Sequence, residues 1–276
     1  MTATAFLRQG AISGGAVAEI HHHPAGRTRP YRRLPMPWAV LAITHGALSE
    51  VAGLDGVWRP YPRLALQGLS DVWTDVRDPP SCRGHTLALI EPWATEAMFG
   101  IAAGELAGRV ADVERVSPWG REQLAETVDL EDDPECLLEA VARRLGALPT
   151  PQPDAQIVAF AKALFTGAGT GSVWREVGAG LSERTLRSRF RRAYGVSPKQ
   201  WARLGRFSAN LRRLHAAAWT PDVQDPPGYF DQSHEIREFR RMAGVTPGGY
   251  RAAKTGGEAS VYAIELTGST GAPAPA

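Results

Sequence analysis

Between Ser182 and Arg213 the chain sets ten cations, Arg184, Arg187, Arg189, Arg191, Arg192, Lys199, Arg203, Arg206, Arg212 and Arg213, against one acid, Glu183. Guanidinium groups at this density attract a polyanion, and their planar fork pairs with a phosphate or with the edge of a guanine. The other half of the chain is different. Residues 1–150 hold 14 Arg and no Lys against 19 Asp and Glu, a net charge of −5, whereas residues 151–276 hold 14 Arg and 3 Lys against 10 acids, a net charge of +7. This asymmetry predicts that a nucleic acid touches only the C-terminal half.

The elements that must position these arginines are legible around them. Ser182 is a helix cap, and Leu186 and Phe190 follow on one face, four residues apart. Arg184, Arg187 and Ser188 fall on the opposite face. The helix runs into a phrase that occurs twice, FRRAYGVSPKQW at 190–201 and FRRMAGVTPGGY at 239–250, offset by 49 positions. In each copy a glycine, Gly195 or Gly244, ends one helix in the left-handed conformation. Ser197-Pro198 or Thr246-Pro247 then opens the next. Ahead of the first copy, the apolar segment Val173–Val177 leads through Gly178-Ala179-Gly180 into Ser182. That order is the layout of a helix-turn-helix with 182–193 as the reading helix.

These residues resemble the DNA-binding domain of the AraC/XylS-type regulators over about 155–252, and the N-terminal half resembles the cupin-like sensor domain of one subgroup. The resemblance implies two helix-turn-helix units joined by a long helix. The segment from Pro198 to Ala218, with Trp201, Leu204, Phe207, Leu211 and Leu214 spaced by three or four, is similar to that joining helix. It further implies a cytoplasmic, sequence-specific transcription regulator, monomer or homodimer, and no enzyme. Double-stranded DNA is the implied partner, with a small-molecule effector in the N-terminal domain and no cofactor. Arg184, Thr185, Arg187 and Ser188 are expected to face base edges, with Gln232, Ser233, His234 and Arg237 in the same role in the second unit. Arg191, Arg192, Lys199, Arg240 and Arg241 are expected on phosphates.

The second unit departs from the pattern. Where a helix should precede it, residues 220–228 carry Pro221, Pro226 and Pro227, and proline in a helix interior costs about 3 kcal/mol. Glu235 stands at the apolar position equivalent to Leu186, with Ile236 one place off the stripe. The second unit is therefore read as degenerate. The alternative reading is a ligand-sensing or protein-interaction protein that has lost specific DNA binding.

The fold class expected is α+β in two domains: a small barrel or sandwich, then an all-helical domain. Strands are expected at 16–20, 38–43, 48–51, 63–66 and 84–90, with Asp55-Gly56 as a hairpin turn. A helix from Asp133-Pro134 carries a stripe of Leu137, Leu138, Val141 and Leu145, for packing on the barrel or on a second chain. The predicted boundaries are 1–148 for the sensor domain, 149–154 for a Pro-rich linker, 155–253 for the DNA-binding domain and 254–276 for a disordered tail. Within that tail, 261–266 is a strand-like island. Trp38, Trp58, Trp73 and Trp93 are candidates to line a ligand pocket or to fill the core. His21-His22-His23 is read as a solvated strand end, because the residue four after His23 is Arg27 where a metal-binding cupin has a glutamate. His45 and His85 have no motif around them, so no metal is expected. Cys82 and Cys136 are read as reduced buried thiols. No apolar run is long enough for a membrane span, and the first ten residues do not read as a secretory signal.

Overall fold

The computed structural model describes residues 6–12, 14–24, 29–117, 119–124, 133–149, 152–167, 180–218, 232–254 and 262–265. Its N-terminal half is built from two antiparallel sheets. Strands β1 (Phe6–Ile12), β2 (Val17–Pro24), β4 (Ala39–Gly46), β7 (Leu64–Gln67), β9 (Cys82–Ile90) and β10 (Val110–Asp112) form one, in the order β1-β2-β9-β4-β7-β10. Strands β3 (Tyr31–Arg33), β5 (Glu50–Ala52), β6 (Trp58–Pro60), β8 (Thr74–Arg77) and β11 (Ala263–Glu265) form the other, in the order β11-β3-β8-β5-β6. Gly56 turns the β5–β6 hairpin at a φ of 67°, as Asp55-Gly56 predicts.

The first sheet is covered on both faces. On one side Ile20, Leu41, Ile43, Leu64, Leu66, Ala88 and Ile90 meet Leu137, Leu138, Val141 and Leu145 of a helix, Pro134–Gly146. On the other side Ala42, Ala65 and Leu87 face the second sheet. Double coverage explains why β4 reads as an unbroken apolar run rather than an alternating one, since Ala39 through His45 are all buried. It also settles the partner of the leucine stripe, which packs on its own chain. Asp133 caps that helix by accepting from the amides of Glu135 and Cys136.

Three short helices follow β9 and flank β10: α1 (Thr95–Phe99), α2 (Ala103–Leu106) and α3 (Val113–Val116). With Pro134–Gly146 as α4, the C-terminal half contains α5 (Ala155–Phe165), α6 (Glu183–Tyr194), α7 (Pro198–Ala218), α8 (Gln232–Ala243) and α9 (Pro247–Lys254). Asp154 caps α5, accepting from the amides of Gln156 and Ile157. The expected lead-in at 173–177 and the proline-rich 220–228 lie outside the described residues. The apolar faces of these five helices merge into one core that also takes in Leu34, Leu69 and Trp73 from the N-terminal half and Ile264 from β11. Within the expected disordered tail, Ala263–Glu265 is thus an edge strand, paired with Tyr31–Arg33.

Candidate nucleic-acid interface

Helix α6 is fixed at both ends and along one side. The Ser182 hydroxyl accepts the Thr185 amide at 3.1 Å, and Gly195 ends the helix at a φ of 74°, its amide donating to the Arg191 carbonyl at 2.8 Å. Leu186 and Phe190 are fully buried; the Phe190 ring stacks on Tyr194 at 4.7 Å and meets Phe160 edge-on at 5.6 Å. With that side locked, Arg184, Arg187, Ser188, Arg191 and Arg192 are exposed, and Thr185 is half-buried.

This face lines an open cleft of about 1370 Å³, together with Ser197, Lys199 and Arg206. The opposite wall is Ala102, Gly104 and Glu105 of the N-terminal half. Arg187 pairs with Glu183 of its own helix, and Glu96 reaches Arg192 only at 3.9 Å, with the arginine side chain 81% exposed. A pair so open to water contributes little. The strong inter-half pairs fall elsewhere: Asp71 Oδ2 accepts from Arg203 at 2.7 Å and from Arg241 at 3.0 Å. Arg241, expected on a phosphate, pairs with this carboxylate here, with its side chain 48% exposed.

In the second unit, Gln232, Ser233 and His234 occupy the first turn of α8, and Arg237 and Arg240 are exposed further along. Phe239, Met242 and Ala243 anchor the helix, while Ile236 is 40% exposed, consistent with its position off the apolar stripe. Glu238 ties α8 to the joining helix through Arg203 at 3.7 Å and Arg206 at 3.5 Å.

The N-terminal half meets both units at equivalent points. A Cβ on Gly195 would collide with the carbonyl of Ala103, and one on Gly244 would collide with the Arg32 guanidinium and the Trp73 indole. Arg32 is firmly placed for a side chain, held by Asp75 at 2.7 and 2.9 Å with its guanidinium 3.5 Å above the Trp73 ring, though it yields more readily than the main chain of Ala103.

A second concave feature lies between the two sheets. This cavity of about 80 Å³ is lined by His23, Tyr31, Arg33, Tyr61, Asp78 and His85 among others, and by none of the four tryptophans proposed for a pocket. Trp73 belongs to the helical core, Trp38 lies edge-on to Tyr262, and Trp58 lies under Arg77. The histidine run is likewise not solvated as expected. His22 is buried, with Nδ1 3.0 Å from the Thr86 hydroxyl that His45 Nε2 also reaches at 2.9 Å. Burial, with His22 and His85 nearby, pushes His45 down to about 4. Burial also works against a charge on His85, but hydrogen bonding to Asp78 and Cys82 outweighs it and raises the group to about 9. Cys82 is buried as expected; Cys136 is exposed.

Comparison with known proteins bears on the helical half. Residues 178–253 match the family described as "Helix-turn-helix domain". No curated protein matches the chain. Among solved structures, apo ToxT from Vibrio cholerae is 9% identical with a TM-score of 0.46, over 86% of this chain and 97% of that one. ToxT from Vibrio cholerae O395 is 11% identical at 0.41, over 84% and 95%. The AraC-like transcriptional activator CuxR is 12% identical at 0.24, over 78% and 87%. Scores this low leave the domain match, together with the geometry of α6, as the observations with weight.

Proposed function

We propose that this protein, whose residues 178–253 match a helix-turn-helix family, is an AraC-type DNA-binding transcription regulator that reads a major groove with α6. One observation carries the reading: α6 is locked by Leu186 and Phe190 and turns Arg184, Arg187, Ser188, Arg191 and Arg192 into an open cleft whose cations outnumber its acids, Glu183 and Glu105. A helix fixed on one side and cationic on the other is what major-groove docking requires. Arg184, Thr185, Arg187 and Ser188 contact bases, while Arg191, Arg192 and Lys199 hold phosphates. The second unit plays the lesser part, because one of its arginines is committed to Asp71 and Ile236 is left in water. At about 80 Å³ the cavity between the sheets must widen to admit an effector, since ligand pockets run to roughly 300–1,000 Å³.

Electrophoretic shifts with the full chain on genomic fragments at two salt concentrations test this. About six neutralised phosphates give a log–log salt slope of roughly −5. Arg187→Ala costs about 1–3 kcal/mol and relaxes preference at one base position. Salt-independent binding, or no binding to any fragment, removes the reading; a loss that is uniform across sequences makes Arg187 a phosphate contact instead.

A further inference from the structure

We infer that the N-terminal half holds a divalent cation of the zinc type on Asp78, Cys82 and His85. Among the described residues these three are brought together as a group, with one donor atom from each and all three within 4.8 Å of one another. Cys82 and His85 lie on β9, whose register slips between Cys82 and Gly84, and Asp78 follows β8 on the facing sheet.

The arrangement of the three around the imidazole distinguishes a ligand set from a catalytic relay. In a relay, the acid and the thiol sit on opposite ring nitrogens. Here both converge on the same one: His85 Nε2 is 3.1 Å from Asp78 Oδ1 and 3.8 Å from Cys82 Sγ. The other nitrogen, Nδ1, faces the Thr44 hydroxyl at 3.4 Å. That is the outer partner a metal-bound imidazole needs, since it fixes the ring and leaves the inner nitrogen for the ion. Tetrahedral zinc, with bonds of about 2.0–2.1 Å to nitrogen or oxygen and about 2.3 Å to sulfur, sets its ligands about 3.3 Å apart for N and O and about 3.6 Å apart for N and S. The two separations to Nε2 need adjusting by only tenths of an ångström, and the carboxylate and the thiol, within 4.8 Å of each other, close onto the same point.

The Ser49 hydroxyl donates to Asp78 Oδ1 at 2.7 Å and steadies the carboxylate. The side chains of His85 and Asp78 are 14% and 12% exposed, and Cys82 is buried, so the ion would be sheltered. Asp78 and His85 also line the cavity between the sheets. His23, directly opposite His85 in the strand pairing, lines it too, so the fourth position falls to a water or to His23. A thiolate and an imidazole beside one carboxylate select zinc over magnesium or calcium. On binding, the thiol proton and any proton on Nε2 pass to solvent.

The test uses the full chain without DNA, so its outcome is separate from that of the regulator reading. After chelator treatment and dialysis, zinc chloride is titrated in competition with a chromophoric chelator, and cobalt chloride in a parallel absorption experiment. One zinc per chain and a thiolate-to-cobalt charge-transfer band are expected in the parent protein. Both are lost in Cys82→Ser and Asp78→Asn and kept in Cys136→Ser. Thr44→Val should keep the stoichiometry and weaken affinity roughly tenfold to a hundredfold. If a ligand variant fails to fold, the cobalt spectrum of the parent decides. The absence of a thiolate band, or a stoichiometry unchanged in folded Cys82→Ser, overturns the assignment.

Discussion

The two copies of the repeated phrase share a scaffold and differ in what they present. Phe190 and Phe239 are both buried, and Gly195 and Gly244 both take left-handed backbone at φ 74° and 69°. Both copies are then capped. In the first, Ser197 and Gln200 cap each other: the Ser197 amide donates to Gln200 Oε1 at 2.9 Å and the Gln200 amide donates to Ser197 Oγ at 3.2 Å. In the second, Thr246 accepts the Gly249 amide at 3.1 Å, and glycine has no side chain to reach back. Tyr194 stacks on Phe190 in the first copy, where the second has Ala243. The outward arginines diverge further: Arg191 and Arg192 border the cleft, while Arg241 is tied to Asp71. Apolar anchors and a glycine stop suffice to build the motif; the extra caps and open charges are what distinguish the copy assigned to reading.

The sharpest way to break this comparison is to remove the anchors. Phe190→Ala and Phe239→Ala should each cost about 3–5 kcal/mol in denaturant unfolding. A cost for Phe239→Ala below about 1 kcal/mol would show that the second copy is not held as the first is.

Next in size is an effect confined to the first copy. Glu91 lies near Tyr194, and burial raises its carboxyl to about 7 despite a hydrogen bond from Trp93. The folded protein therefore keeps a proton that the unfolded chain releases near the ordinary value of 4.5. Stability contributed by neutral Glu91 is present below that ordinary value and is lost as pH rises to about 7, by up to about 3 kcal/mol. Glu91→Gln should flatten this part of the profile and stabilise the protein at about pH 8, read from melts at that pH and at about pH 5. An unchanged slope would mean that Glu91 is not protonated in the folded state.

The smallest effect compares the two glycines. Each alanine pays about 1–2 kcal/mol for left-handed backbone. Gly195→Ala also meets a main-chain carbonyl, and Gly244→Ala the Arg32 and Trp73 side chains, so Gly195→Ala should be the more damaging in thermal melts. The reverse order would place the firmer contact at the second copy.

The helical half was legible because its signals are local. The Ser182 cap, the Leu186 and Phe190 spacing, the glycine stops and the apolar stripe of α7 each fix their structure within a turn or two. The N-terminal strands with long apolar runs were found for the same reason. β3 and β8 were not, because their inward groups include Arg32 and Asp75, which become tolerable only after they meet each other across the sheet. The Asp78, Cys82 and His85 cluster was missed because a bulged register and a facing sheet assemble it, and neither leaves a spacing motif. The histidine run drew attention instead, and its middle member proved to be core.

The short strand β11 has a consequence beyond its three residues. It covers β3, so a version of the chain cut after Lys254 would leave β3 as the outermost strand of its sheet. An uncovered strand offers its free amides and carbonyls to any extended peptide that arrives. Residues 263–265 thus serve as a selvedge that keeps the N-terminal fabric from fraying onto its neighbours.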